Sequence, residues 1–181
     1  MTKNQVYAMI PARIGSTRLK MKNLALVNDK PLISYAIEAA KKSDVFEKVF
    51  VNSEHEIFNK IANRYNVNFY QRPQNLGSSN TMADSVVYDF MKHNSEADIV
   101  AWVNPTSPLQ TSDEINGAVE YFIEKGLDSL ITVEDKPVHC MFDDLPVNYN
   151  QNEIFSKTQD LRPVQPFVYS VMIWRSKVFI K

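Results

Sequence analysis

Short apolar runs alternate with stretches of helical period along this chain, and that alternation leaves few folds open. Val6–Ile10, Val49–Val51, Val67–Tyr70, Ile99–Val103 and Ser129–Val133 have strand length. Between them, apolar residues recur at helical spacing. Ile33, Ala36, Ile37 and Ala40 follow Pro31, and proline suits a first helical turn. Ile57, Ile61 and Tyr65 form a second stripe, with Phe58 and Ala62 beside it. Met82, Val86 and Phe90 form a third, and Ile115, Ala118, Val119, Phe122 and Ile123 a fourth. Ser53–Glu56 and Thr111–Glu114 both carry the S/T-x-x-E pattern and read as capping boxes at helix starts. Ile99–Val103 is the most apolar run and is expected to be a central strand, buried on both faces. Strands alternating with helices predict an α/β fold, with a mostly parallel sheet covered by helices on both faces.

The rhythm breaks after Val133. Residues 137–166 contain Pro137, Pro146, Pro163 and Pro166 and show no clean period. The stretch is too short to bury its own core, so it reads as an excursion after residue 136 that packs on another subunit. Phe167–Trp174 then returns as a long strand. The chain of 181 residues is therefore expected to form a single domain.

Composition excludes several function classes. A net charge of −1 gives no global basic field of the kind nucleic-acid binders use. Cys140 is the single cysteine, so an internal disulfide and a cysteine zinc cluster are both out of reach. No signal peptide or membrane span is visible, and a cytoplasmic location is expected. The glycines are Gly15, Gly77, Gly117 and Gly126, spaced too widely for a G-x-G-x-x-G fingerprint or a Walker loop. Phosphate must be held here by side chains and a few backbone amides.

A candidate for that task follows the first strand. Arg13, Arg18, Lys20 and Lys22 occur with no acid until Asp29. Read as a charge run alone, this would be a basic surface loop. Its place at the carboxyl end of a strand, where open α/β sheets bind ligands, points instead to a polyphosphate. Arginine grips phosphate bidentately and lysine acts as a point charge. Arg13, Arg18 and Lys22 together suit a triphosphate, and Ser16 offers a hydroxyl or an amide. Asn23 both donates and accepts, which suits a ribose or a base edge. A second constellation, Trp102–Gln110, leaves the central strand at the same edge. Pro105 and Pro108 stiffen it, Asn104 can read a base or a sugar, and Thr106 and Ser107 supply hydroxyls. Trp102, Phe90 and Phe122 read as core. Stiff polar loops side by side on one edge of a sheet make a cleft.

These residues resemble the sugar cytidylyltransferases, and within them the acylneuraminate (CMP-sialic acid synthetase-type) cytidylyltransferase family. That family's opening motif, A-R-x-x-S-(loop)-K-N, is matched by Ala12, Arg13, Ser16, Lys22 and Asn23. Its P-T-S-P-L motif stands unchanged at Pro105–Leu109, and its Arg-Pro pair at Arg72-Pro73 with Leu76 behind. Ser16–Leu19 is closer to the related 3-deoxy-manno-octulosonate cytidylyltransferases. The resemblance runs from about Val6 to Leu130, with a weaker echo through Gln159 and Tyr169.

The resemblance implies a Rossmann-like three-layer sandwich and the transfer of CMP from CTP to a nonulosonate-type keto-acid sugar, releasing pyrophosphate. It implies phosphate contacts from Ala12, Arg13, Ser16, Arg18 and Lys22. Arg13 and Lys22 would be the charge-stabilising catalytic pair, with Asn23 and Arg72 on the nucleoside. It implies acceptor contacts from Asn104, Pro105, Thr106, Ser107 and Gln159. The family commonly has glutamine at position 104, so the shorter amide here points to a different acceptor preference. It further implies Mg2+ as cofactor and a homodimer built through residues 137–166, with CTP and a keto-acid sugar as the ligands and neither nucleic acid nor membrane as partner. Transfer to 3-deoxy-manno-octulosonate or an aldose, and nucleotide binding without catalysis, are the alternatives.

The match has gaps. The family's magnesium aspartates lie beyond the strand that is Phe167–Trp174 here, and no Asp-x-Asp motif follows, so the chain is expected to be a fragment and no metal ligand is assigned in it. Tyr169-Ser170 stands where the family has Asn-Gly. Asp143-Asp144 reads as a solvated turn, His55 and His93 as exposed helix residues, and His139-Cys140 as too few groups for a metal site.

Overall fold

The computed structural model describes residues 4–16 and 19–181. The chain runs β1 (Val6–Pro11), a hairpin of β2 (Leu26–Val27) and β3 (Lys30–Pro31), then α1 (Leu32–Lys42) and β4 (Lys48–Ser53). It continues through α2 (Ile57–Tyr65), β5 (Asn68–Gln71), α3 (Ala83–His93), β6 (Ile99–Val103), α4 (Ser112–Glu124) and β7 (Ser129–Val133). After a hairpin of β8 (Met141–Phe142) and β9 (Leu145–Pro146) come β10 (Phe167–Arg175) and the short α5 (Ser176–Phe179).

The main sheet has the order β5-β4-β1-β6-β10-β7. β1 pairs in parallel with β4 on one side and β6 on the other, with Pro11 opposite Asn52 and Tyr7 opposite Val100. β5 extends the parallel set beyond β4. β10 runs antiparallel to β6, with Val171 opposite Val103. The architecture is thus a mostly parallel, Rossmann-like α/β sheet.

The two faces of β1 explain the layers. Successive strand side chains alternate between faces. Val6, Ala8 and Ile10 join a core with Ile33 and Ile37 of α1, Phe58 and Ala62 of α2, and Ile115, Val119 and Phe122 of α4. Tyr7 and Met9 join the opposite core with Val86, Val87, Phe90 and Met91 of α3. β6 is buried on both faces, so its whole run is apolar.

Several sequence expectations need correction. Ser53–Glu56 is not a capping box: Ser53 ends β4, α2 starts at Ile57, and Glu56 stands at the cap without a side-chain bond to the helix backbone. The Ser53 hydroxyl accepts instead from the His55 N–H, and Glu54 is drawn into a buried ion pair with Arg72. The buried face of α2 is Phe58 and Ala62, while Ile57 is exposed and Ile61 and Tyr65 are only partly covered. Pro31 closes the β2–β3 hairpin and caps α1 from outside. Met82 is the exposed cap of α3 rather than part of its stripe, and Ile123 is exposed on α4. His55 precedes α2, its Nδ1 accepting from the Ile57 N–H. The Thr111–Glu114 capping box forms as read: the Glu114 N–H donates to Thr111 Oγ1 at 3.2 Å and the Thr111 N–H to Glu114 Oε2 at 2.8 Å. Asp143 and Asp144 both take left-handed backbone in the exposed turn between β8 and β9.

The chain divides into two compact units, Met1–Leu130 with Ser170–Lys181, and Ile131–Tyr169. In the second unit, Lys136 and Val164 bridge in antiparallel fashion, and His139 stacks on Phe155 with ring centroids 3.9 Å apart. Among the described residues, no helix is long and apolar enough to cross a membrane.

Candidate active site

Strand order decides where a ligand can sit. From β1 the chain builds outward through β4 and β5, then returns to place β6 on the other flank of β1. The connections leaving β1 and β6 therefore diverge, and such a switch point opens a crevice at the carboxyl ends of the strands. A cleft of about 360 Å³ lies there, lined by Ala12, Arg13, Ser16, Lys22 and Asn23 from the β1 side and by Trp102, Asn104, Pro105 and Thr106 from the β6 side. Arg72, Leu76, Ser78 and Thr81, from the segment after β5, are also part of its wall.

Local chemistry shapes each wall. The Ala12 N–H donates to the Asn52 carbonyl at 2.9 Å, extending the β1–β4 pairing one residue past the strand. The Arg13 guanidinium donates through Nη1 to the Ser78 carbonyl at 3.0 Å. Met21 takes left-handed backbone and turns the chain into the short 3₁₀ segment Lys22–Leu24. That turn buries Asn23, whose Oδ1 has no hydrogen-bond partner among the described residues. On the opposite side, Asn104 Oδ1 accepts from the Thr106 N–H at 3.0 Å and the Thr106 hydroxyl at 2.9 Å. This side-chain turn, backed by the Asn104 N–H donating to the Ser170 carbonyl at 3.0 Å, fixes the exit from β6.

Charge on the wall is one-sided. Arg13, Lys22 and Arg72 are cationic, and no carboxylate lines the cleft among the described residues. Arg72 is buried, which pulls its guanidinium below its ordinary pKa, while Glu54 acts in the opposite direction. Glu54 offsets Arg72 through an ion pair of 2.8 Å. No carboxylate pairs with Arg13 or Lys22 among the described residues.

The structure gathers most of the predicted residues and leaves others aside. Ala12, Arg13, Ser16, Lys22, Asn23, Arg72, Asn104, Pro105 and Thr106 share the cleft. Ser107 is not on its wall; its N–H donates to the Asn104 carbonyl at 3.1 Å and closes the turn. Gln159 belongs to the second unit. Arg18 lies outside the described residues.

Other wall residues were missed. Trp102 is not simply core: it borders the cleft, and its indole N–H is buried without a partner among the described residues. Its position two residues before Asn104, on the same side of the chain, was the available signal. Ser78, Ser79 and Thr81 carried no signal beyond a polar loop.

Magnesium, the implied cofactor, takes oxygen ligands, usually one or two carboxylates plus substrate phosphates. The described cleft wall offers none of those carboxylates, and no group of three or more His, Cys, Asp or Glu could hold a metal ion among the described residues. These residues do not fit a protein-held magnesium.

Sheet order, switch point and cationic cleft define a Rossmann-like α/β protein with a basic crevice at one sheet edge. A family model described as "Cytidylyltransferase" matches residues 7–163. The chain belongs to the cytidylyltransferase family. An N-acylneuraminate cytidylyltransferase of Escherichia coli O18:K1:H7 is 36% identical over 124 residues, covering 66% of this chain and 29% of that protein. The chain therefore spans less than a third of that relative's length. A CMP-N,N'-diacetyllegionaminic acid synthase of Legionella pneumophila is 29% identical over 171 residues, covering 83% of this chain and 74% of that protein. A solved CMP:2-keto-3-deoxy-manno-octonic acid synthetase, complexed with CTP, superposes with a TM-score of 0.74. It shares 17% identity and covers 97% of this chain and 76% of that one, which establishes the shared fold.

Proposed function

We propose that this chain binds CTP in the switch-point cleft and transfers its CMP moiety to a nonulosonate-type keto-acid sugar, releasing pyrophosphate. The observation that carries the reading is the meeting of Arg13, Lys22, Asn23 and Arg72 with Asn104, Pro105 and Thr106 around one cleft. The names of the relatives support it, since they are synthases and transferases that form CMP-sugars.

In this reading the anomeric hydroxyl of the sugar attacks the α-phosphorus of CTP and gives up its proton to water. The bond to the bridging oxygen breaks, and pyrophosphate leaves with its electron pair. Arg13 and Lys22 stabilise the charge that builds on the phosphate oxygens, and the stiff Asn104–Thr106 turn orients the acceptor. No covalent enzyme intermediate is required. Arg72, held by Glu54, and Asn23, whose carbonyl oxygen has no partner among the described residues, read the nucleoside in this scheme.

The proposal extends to a homodimer in the cytoplasm, formed through residues 137–166. Its support is apolar surface in that segment: Phe142 is 78% and Ile154 95% exposed.

The test is pyrophosphate release by the full-length protein with CTP, UTP or GTP in turn, magnesium and a panel of nonulosonates, octulosonate and aldose phosphates. Release that requires CTP and a nonulosonate is expected. Release only with UTP, GTP or an aldose phosphate overturns the assignment. CTP binding with no product from any sugar identifies a nucleotide-binding module instead.

A further inference from the structure

We propose that Glu54 is a positioning residue for the nucleotide. Its buried carboxylate fixes the turn after β1 and the Arg72 guanidinium against each other, and through them the cationic wall of the cleft. The inference rests on the nucleotide reading above and adds to it a residue that does not itself line the cleft.

Glu54 follows the last residue of β4 and is 4% exposed. Both of its oxygens are engaged. Oε1 accepts from the Ile14 N–H at 2.9 Å, and Oε2 accepts from Arg72 Nη2 at 2.8 Å. The same Nη2 donates to the Ala12 carbonyl at 2.8 Å, and Nη1 donates to the Asn52 carbonyl at 3.3 Å. The Arg72 N–H donates in turn to the Ser53 carbonyl at 3.1 Å. One carboxylate and one guanidinium thus tie together residues 12–14 after β1, residues 52–54 at the end of β4, and the residue that follows β5.

Those strands are neighbours in the sheet, and the chain leaving β1 and β5 forms one flank of the cleft. Ile14 directly follows Arg13, so a shift of its amide moves Arg13. A change in Glu54 also removes the carboxylate partner of Arg72. Both arginines line the cleft.

Gly77 adds an independent observation. A Cβ built there would lie 2.5 Å from Cγ and Cδ of Glu54. The backbone of Gly77 does not occupy the left-handed region, so lack of space, not conformation, calls for glycine. The Gln74–Gly77 turn closes directly over the carboxylate. A buried charge is costly unless it is paired and hydrogen-bonded. An ion pair is also seldom the most stabilising filling for a buried site, so its place at a junction of ligand loops favours a role in geometry.

The experiment titrates CTP calorimetrically into the full-length wild type, Glu54→Gln and Gly77→Ala. Each is measured at a temperature where circular dichroism shows it folded, and exchange of the Ile14 amide is followed by NMR. Glu54→Gln keeps the size and an acceptor for Ile14 but sets an amide donor against the donors of Arg72. Gly77→Ala leaves the carboxylate intact and displaces it. Both are expected to weaken CTP binding about tenfold or more, since small misplacements of binding groups are costly. Both are expected to speed Ile14 exchange. A role confined to stability leaves the affinity of the folded protein unchanged, so unaltered CTP affinity in both variants overturns the inference. Wild type that binds no CTP overturns the nucleotide reading, and unaltered Ile14 exchange then also refutes the hold of Glu54 on the turn.

Discussion

Arg13 Nη1 lies 3.0 Å from the carbonyl oxygen of Ser78, joining the turn after β1 to a residue 65 positions away. The bond ties the turn to the Ser78–Thr81 rim and orients the guanidinium. Its remaining donors are then available to a phosphate, since an arginine carries several N–H groups in a fixed fork. Arg13→Ala removes both the charge and the tie. With a charge-assisted hydrogen bond worth about 1.5–3 kcal/mol, CTP affinity is expected to fall about 10- to 100-fold. Arg13→Lys keeps the charge but loses the fork and is expected to recover only part of the loss. Isothermal titration measures both; undiminished affinity in Arg13→Ala removes Arg13 from the phosphate site.

Lys22 stands on the same wall with no carboxylate partner among the described residues. Its ammonium is expected to act mainly on the charge that develops during transfer. Lys22→Met should therefore lower kcat by about 100-fold or more. The fold is expected to persist, because Lys22 is not part of either buried core. Stopped-assay pyrophosphate release with saturating CTP reads kcat, and unchanged turnover discards the role.

The same S/T-x-x-E spelling gave opposite outcomes at Thr111–Glu114 and Ser53–Glu56, which shows where sequence was informative. At Thr111 both partners are local, so the cap forms. At Ser53 the serine belongs to a strand, and the next carboxylate, Glu54, is claimed by Arg72, 18 residues on. That pairing depends on β5 lying beside β4, which no local pattern encodes. The central strand was legible to the residue because both faces of Ile99–Val103 are apolar. The cleft was legible because its walls begin where strands end. The Trp102 contribution was legible only through its spacing to Asn104, because a tryptophan at a strand end otherwise reads as core whether or not a crevice opens beside it.

The Thr111 cap yields a stability prediction separate from the site. Thr111→Ala removes the acceptor of the Glu114 N–H and leaves the cleft residues in place. Loss of such a cap costs about 1 kcal/mol. For a chain of this length that corresponds to a fall in Tm of about 2–4 °C. Differential scanning calorimetry reads the shift, and CTP affinity is expected to stay the same.

Tyr70 gives a prediction in pH. Burial first, and then its hydrogen bond to Asp89 at 2.7 Å, raise the phenol well above its ordinary value of 10.0. The folded state thus favours the neutral phenol. The associated stability is fully present below the unfolded value near 10 and is lost as pH rises above it toward the higher folded value. Ultraviolet titration at the tyrosinate band should show Tyr70 silent through the range in which unperturbed tyrosines ionise. Tyr70→Phe should remove no amplitude from that range and should lessen the alkaline loss of stability. A drop of one tyrosine's amplitude near pH 10 in the variant refutes the shift.

Asn104 offers the sharpest test of the acceptor side. Its Oδ1 already accepts from the Thr106 N–H and hydroxyl, so the side-chain carbonyl is committed to shaping the turn. Asn104→Asp retains an acceptor for both bonds and the length of the side chain, but replaces the amide nitrogen with a second anionic oxygen. If a keto-acid carboxylate binds beside Asn104, that oxygen meets it with like charge. KM for the acceptor is then expected to rise at least about tenfold, because like-charge juxtaposition in a site costs several kcal/mol. Asn104→Gln lengthens the side chain by a methylene, strains the Thr106 bonds and should shift the ranking of nonulosonates instead of weakening all of them alike. Steady-state kinetics over a sugar panel at saturating CTP separates the two variants. An acceptor KM unchanged in Asn104→Asp places the keto-acid carboxylate away from the β6 wall.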